Sequence, residues 1–175
     1  MKVVLGLVVL LYAFCMATAE TADWHNDYDQ PVNFTCPKGQ AIYKVISVHN
    51  DKKEDRLFEF FCRPLPADCS QSVWTGYIND FDQPFASDCP YSGIIIGAYS
   101  YHVDKHEDRR WMLNCCESEH SYTVNCYTTP YAHTWDGYHE YSAPSDYWIH
   151  GVAGQHSNKK EDRLWQYKVC QVRTT

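Results

Sequence analysis

His102-Val103-Asp104-Lys105-His106-Glu107-Asp108-Arg109-Arg110-Trp111 is one of three copies of the same charged stretch in this 175-residue chain. The others are His49-Asn50-Asp51-Lys52-Lys53-Glu54-Asp55-Arg56-Leu57-Phe58 and His156-Ser157-Asn158-Lys159-Lys160-Glu161-Asp162-Arg163-Leu164-Trp165. Their first residues are 53 and 54 positions apart. A His, a Lys and a Glu-Asp-Arg in fixed register, recurring at this period, mark a repeat architecture.

Outward from each copy the pattern is that of a β-hairpin. After the charged stretch, apolar residues alternate with polar ones, the period of a half-buried strand. Phe58, Phe60 and Cys62 fall on one face, matched by Trp111, Leu113 and Cys115 and by Trp165, Tyr167 and Val169. An apolar segment precedes each copy, so the charged stretch reads as the hairpin loop. No segment sustains a 3.6-residue period, and almost no helix is expected. The repeats run from about 24 to 62, 74 to 116 and 128 to 170, with residues 63–73 and 117–127 read as linkers. Three repeats of about four strands imply one all-β domain with pseudo-threefold symmetry, β-prism-like, with a β-trefoil as the alternative. Such units bury a core only by closing on one another.

The N-terminus carries Lys2, the apolar run Val3 to Phe14 and the small-x-small site Ala17-Thr18-Ala19. Residues 1–19 read as a secretory signal peptide, too short in its apolar part to span a bilayer. Its removal would leave residues 20–175 and shift the net charge from −7 to −8. That acidity argues against nucleic acid and anionic membranes as partners.

Removing Cys15 with the signal leaves eight cysteines, an even number that reads as four disulfides in a secreted chain. Cys36 and Cys62 are 26 residues apart, as are Cys89 and Cys115, while the third repeat has Ala143 and Val169 at those places. Joint loss of both cysteines is expected of partners. The other four cysteines allow three connectivities, and repeat symmetry favours Cys69–Cys116 and Cys126–Cys170. Asn33-Phe34-Thr35 is the sole glycosylation sequon.

Two sets of residues are candidates for a site. Asp55 with Arg56, Asp108 with Arg109 and Asp162 with Arg163 form the repeated charged core; a guanidinium matches a carboxylate bidentately, which makes a structural tie the first expectation. Tyr28-Asp29, Phe81-Asp82 and Trp135-Asp136 are equivalent pairs, and a ring face beside a carboxylate suits a sugar. The competing reading is a core aromatic beside a turn-capping Asp. Zinc spacing of the His-x3-His or Cys-x2-Cys kind is represented only by His102 and His106, so neither metal nor cofactor is expected. There is no Gly-x-Ser-x-Gly, phosphate-cradling glycine loop or His-Glu-x-x-His, and with the cysteines paired no nucleophilic thiol remains. An enzyme is not expected.

Asn-Asp-Phe-Asp-Gln-Pro-Phe at 79–85, Tyr-Ser-Tyr-His at 99–102 and the three Glu-Asp-Arg copies resemble the dermatopontin family of tyrosine-rich acidic matrix proteins; this chain has 14 tyrosines. The resemblance covers essentially all of residues 20–175 and points to an invertebrate member. It implies a secreted, noncatalytic protein of the extracellular matrix that promotes cell adhesion and binds matrix proteins, proteoglycans or glycans, and cell-surface receptors, with self-association as a further expectation. Invertebrate members also imply two alternatives, a multivalent lectin or agglutinin of defence or cell aggregation and a shell-matrix protein. The third repeat departs from the pattern, reading Trp135-Asp136-Gly137 where the others have an aromatic followed by Asp-Gln-Pro.

Overall fold

A computed structural model describes residues 22–175; the signal-peptide expectation for residues 1–19 lies outside them. Eleven strands follow one another: β1 (Val32–Thr35), β2 (Gln40–Asn50), β3 (Asp55–Pro64), β4 (Gln71–Trp74), β5 (Phe85–Asp88), β6 (Ile94–Val103), β7 (Asp108–Glu117), β8 (Ser121–Thr128), β9 (His139–Ser142), β10 (Trp148–Ser157) and β11 (Asp162–Thr174). Among the described residues the only helical element is the 3-10 turn Pro90–Ser92. The chain is all-β, as its alternating pattern requires.

The long hairpins β2–β3, β6–β7 and β10–β11 each nucleate one antiparallel sheet. The short first strand of each repeat does not join its own hairpin. β1 pairs with β6, β5 with β10 and β9 with β2. Each repeat therefore lends a strand to the next, and the third lends to the first, so the chain closes in a circle. All three hairpins carry a register shift at the same place, between Ile42 and Lys44, Ile95 and Gly97, and Ile149 and Gly151. A bulge of this kind bends the strand and increases its local twist. At Gly97 the borrowed strand comes so close that a Cβ would lie 2.6 Å from the Phe34 carbonyl oxygen, which is why no side chain fits there.

Two sequence expectations need correction. Residues 63–73 and 117–127 are not plain linkers: β4 and most of β8 lie in them and add the outer strand to β7 and to β11. Cys126 accordingly sits within β8. The charged stretch is also only partly a loop. The turn ends at Glu54, Glu107 and Glu161, and the Asp-Arg pairs are the first, buried residues of β3, β7 and β11. Hydropathy reads them as loop because a charged pair looks solvated until its partner is known.

The three sheets share one core. Phe58, Trp111 and Trp165, from three different hairpins, meet edge to face with ring centroids 4.9, 5.1 and 6.4 Å apart. They are 3 %, 3 % and 6 % exposed. Removing one large buried aromatic side chain of this type costs about 3–5 kcal/mol. The structure joins Cys36 to Cys62, Cys89 to Cys115, Cys69 to Cys116 and Cys126 to Cys170. The first two of these bridges, Cys36–Cys62 and Cys89–Cys115, hem the core between neighbouring sheets. Where they would recur in the third repeat, Ala143 and Val169 are buried in the same core cluster.

Candidate functional site

The sequence pairs each Asp with its neighbouring Arg; the structure pairs each Arg with the Asp of another repeat. Arg109 donates from Nε and Nη2 to Asp55 at 2.7 and 2.6 Å. Arg163 does the same to Asp108 at 3.1 and 2.6 Å, and Arg56 to Asp162 at 2.5 and 2.9 Å. The three forks form a closed ring directly above the Phe58–Trp111–Trp165 layer. No side chain in the ring is more than 5 % exposed. Burial drives the Asp162 carboxyl up, but the hydrogen bond and charge of Arg56 and the Asp136 N–H outweigh it and hold the group below the usual carboxylate range.

The aromatic-Asp turns complete the ring. The backbone N–H groups of Asp29, Asp82 and Asp136 donate to Asp55, Asp108 and Asp162 at 2.9, 3.0 and 2.9 Å. The turn carbonyls of Gln30, Gln83 and Gly137 accept from Arg109, Arg163 and Arg56. This geometry needs a left-handed residue at the Asp, with φ of 64°, 63° and 59°, a conformation that Asp tolerates better than most side chains. Three residues before the Asp, Asn26 and Asn79 clip onto the following hairpin by bridging the carbonyl of Arg56 or Arg109 and the N–H of Phe58 or Trp111. In the third repeat His133 replaces this Asn and its Nδ1 lies 3.2 Å from Arg56 Nη2.

The turn carboxylates are engaged from their own repeat. Lys53 reaches Asp29, Lys160 reaches Asp136, and His106 stands in the Lys position and reaches Asp82 at 3.1 Å. Tyr28, Phe81 and Trp135 are half-buried, and Phe81 carries the His106 imidazole stacked on it at 4.6 Å. These rings and carboxylates are built into the turns; a second set of aromatics stands four residues earlier, half-buried at Trp24 and exposed at Tyr77 and Tyr131. Trp24, Tyr77 and Tyr131 are equivalent, since the residue after each donates its N–H to Phe58, Trp111 or Trp165. Tyr77 is 43 % and Tyr131 44 % exposed. Tyr77 packs on Tyr101 at 5.5 Å with the Arg110 guanidinium 4.4 Å over its ring. Tyr131 donates its hydroxyl to Gln155. Trp24 lines a groove of about 510 Å³ with Ile46, Val48, Phe61 and Tyr138. Period-two patterning missed these three residues because each lies in an irregular lead-in. Their shared spacing ahead of the aromatic-Asp turn is the signal that would have found them.

Buried histidines are the other feature that sequence reading passed over. His49, His102 and His156, the first residues of the three copies, have side chains only 1 % exposed. Each faces the turn Asp of another repeat. Elsewhere His133 and His139 are buried and His25 is half-buried, and desolvation is the leading cause that pushes each pKa down, well below the ordinary value for His139. His25 Nδ1 accepts the Phe60 N–H at 3.1 Å, a bond that a protonated ring nitrogen could not accept. Around the ring mouth, Glu107 and Glu161 are raised, first by burial and then by the nearby Glu54 charge, against the lowering effect of His102 and His156. Asn33 is exposed on the edge strand β1, open to a glycan.

These features define a disulfide-stapled all-β repeat protein whose charged motif is a closing device and whose outward aromatics are its open surface. The dermatopontin family model matches residues 26–174, and the chain belongs to that family. It is 35 % identical over 94 % of its length to a hemagglutinin/amebocyte aggregation factor of Limulus polyphemus, covering 96 % of that protein. It is 36 % identical over 81 % of its length to a dermatopontin of Biomphalaria glabrata, covering 95 % of it, and 28 % identical over 85 % of its length to human dermatopontin, covering 77 %. No solved structure matches.

Proposed function

We propose that the chain is a secreted, noncatalytic adhesion protein of the extracellular matrix, which holds matrix proteins, proteoglycans or cell-surface glycans through equivalent outward faces. The supporting observation is the equivalent placement of Trp24, Tyr77 and Tyr131 ahead of the three turns, with Tyr77 and Tyr131 exposed and Trp24 lining a groove. An exposed ring gives a flat apolar platform for a sugar face, and polar neighbours such as Arg110 and Gln155 supply hydrogen bonds or charge. Three weak faces on one frame raise avidity by about 10²–10⁴ over one when they engage together. The noncatalytic part of the reading rests on chemistry already committed elsewhere: the buried carboxylates are gripped by arginines, and the eight described cysteines are bridged.

A second reading, a soluble agglutinin that aggregates cells, is favoured by the name and near full-length match of the Limulus relative. One experiment separates the two. The purified secreted protein is tested for red-cell agglutination with free sugars as inhibitors, and in parallel for cell attachment to a surface coated with it. Attachment without sugar-inhibited agglutination supports the matrix reading; sugar-inhibited agglutination supports the lectin; neither activity overturns both.

A further inference from the structure

We propose that the chain binds divalent transition-metal ions, with zinc as the reference ion, at three equivalent sites between repeats. Each site joins the first His of a charged copy, the side chain two residues after it, and the turn Asp of another repeat. In the first, His49 Nδ1 lies 3.2 Å from Asp51 Oδ1 and 3.9 Å from Asp136 Oδ1. In the second, His102 Nδ1 lies 3.5 Å from Asp104 Oδ1 and 3.8 Å from Asp29 Oδ1. In the third, His156 Nδ1 lies 3.3 Å from Asn158 Oδ1 and 3.7 Å from Asp82 Oδ1.

The partners of the two ring nitrogens are those of a metal-ligating imidazole. His49 Nε2 meets the carbonyl of Glu161 at 3.1 Å, and His156 Nε2 meets that of Glu107 at 3.2 Å. A carbonyl only accepts, so Nε2 carries a proton and Nδ1 is the ring atom left to face the oxygen acceptors. This is the outer hydrogen bond that metal-ligating histidines make. Such a cluster of ring nitrogen and oxygens needs a positive centre between its atoms, a metal ion or a proton on Nδ1, and nitrogen NMR tells the two apart. Two donors on one tetrahedral ion, with bonds of about 2.1 Å, stand about 3.4 Å apart, inside the spread of the observed gaps.

A second, independent observation lies in the unpartnered atoms. His102 is 1 % exposed, yet neither ring nitrogen has a hydrogen-bond partner, and Nδ1 is aimed into its cluster. Asp82 Oδ1 and Asp136 Oδ1 are buried and unpartnered as well, each facing its His. Orphaned buried polar atoms are costly, and here they recur at equivalent places. The other oxygen of each turn Asp is fixed by Lys53, His106 or Lys160, which orients the first oxygen inward. One imidazole and two oxygens suit zinc or manganese better than the all-oxygen calcium shell. Sequence spacing argued against metal because the ligands of each site come from two repeats.

The test uses the intact secreted chain, stripped with chelator and titrated with Zn²⁺ at pH 7.5 by calorimetry, with the melting temperature followed in parallel. The expected result is uptake approaching three ions per chain and a melting temperature that rises with zinc and falls back on chelation. The third site should be weakest, since Asn158 supplies no charge. Asp51 and Asp104 are 83 % and 88 % exposed in their side chains, so Asp51→Asn with Asp104→Asn should leave the metal-free melting temperature unchanged while weakening two sites at least tenfold. Asn158→Asp should tighten the third. Zinc uptake that these substitutions leave unaltered would assign the metal to other histidines and overturn the proposal. So would no uptake at about a hundredfold molar excess of zinc, accompanied by nitrogen NMR showing both ring nitrogens of His49 protonated.

Discussion

Arg109 grips Asp55 across the boundary between the first two repeats: Nε and Nη2 lie 2.7 and 2.6 Å from the two carboxylate oxygens of a residue 54 positions earlier. Asp55 also accepts the Asp29 N–H, and Arg109 also donates to the Gln30 carbonyl. One contact thus fixes two hairpins and a turn, and threefold repetition makes it the lock of the circle.

Breaking one fork should therefore destabilise the whole chain. Removing one partner of a buried pair leaves an uncompensated charge and costs about 3–5 kcal/mol. Arg109→Ala is expected to lower the unfolding free energy by about that much, as measured by chemical denaturation. The double substitution Arg109→Met with Asp55→Leu should recover most of the loss, because an apolar replacement of both partners strands no charge. A single substitution that left the denaturation midpoint unmoved would show the ring to be dispensable for folding.

Acid should weaken the fold before carboxylates titrate. His25, His133 and His139 have folded pKa values below 6.5, so the unfolded chain binds protons that the folded chain refuses. Their contribution is complete above the unfolded value and is lost as pH falls through about 6.5 toward the folded values. The denaturation midpoint is expected to drop between pH 7.5 and 6. The raised Glu107 and Glu161 act in the opposite sense, taking up protons in the folded state, but lower down, above the ordinary carboxylate value of 4.5. His139→Gln should flatten the slope between pH 7.5 and 6; an unchanged slope would place the proton uptake elsewhere.

The third repeat has room in its logic for a bridge that it lacks. Ala143 and Val169 occupy the places of Cys36 and Cys62, whose Cα atoms are 5.8 Å apart, and of Cys89 and Cys115, at 5.6 Å. Ala143→Cys with Val169→Cys is expected to form a fifth disulfide and to add about 2–4 kcal/mol under oxidising conditions. Peptide mapping without reductant checks the bond, and denaturation with and without reductant checks its effect. Free thiols at both positions would show that the two sheets diverge in this repeat.

The outward aromatics can be separated from the built-in ones. Trp24→Ala, Tyr77→Ala and Tyr131→Ala together are expected to leave the fold intact and to reduce cell attachment or agglutination by about the 10²-fold or more that loss of avidity entails. Asp29→Ala, Asp82→Ala and Asp136→Ala together should instead lower the melting temperature, because these residues hold left-handed turns and face buried histidines. Loss of binding in the second set at an unchanged melting temperature would return the binding role to the aromatic-Asp pairs.

How much of this was legible in the chain follows from how far each interaction reaches. The strands, their inward faces and the hairpins were readable because a period of two is a local property, written in Phe58-x-Phe60 and Trp111-x-Leu113. The threefold repeat was readable because identical turns need identical residues. The outer strands β4 and β8 were not, since their exposed, mixed residues have no buried face to alternate.

The sequence by itself determined that this is an all-β chain of three repeats with a charged motif in each and cysteines at matched spacings. Only the tertiary structure decided which repeat completes which. Whether Arg56 serves Asp55, one residue away, or Asp162, 106 residues away, leaves no local trace, because a buried charge takes the partner that chain closure brings within hydrogen-bond reach. The same holds for His49, His102 and His156. They look like solvated loop residues until the turn of another repeat covers them. Burial and the partner of a buried polar group are set by the closing of β1, β5 and β9 onto neighbouring hairpins, and that closure is a property of the whole chain.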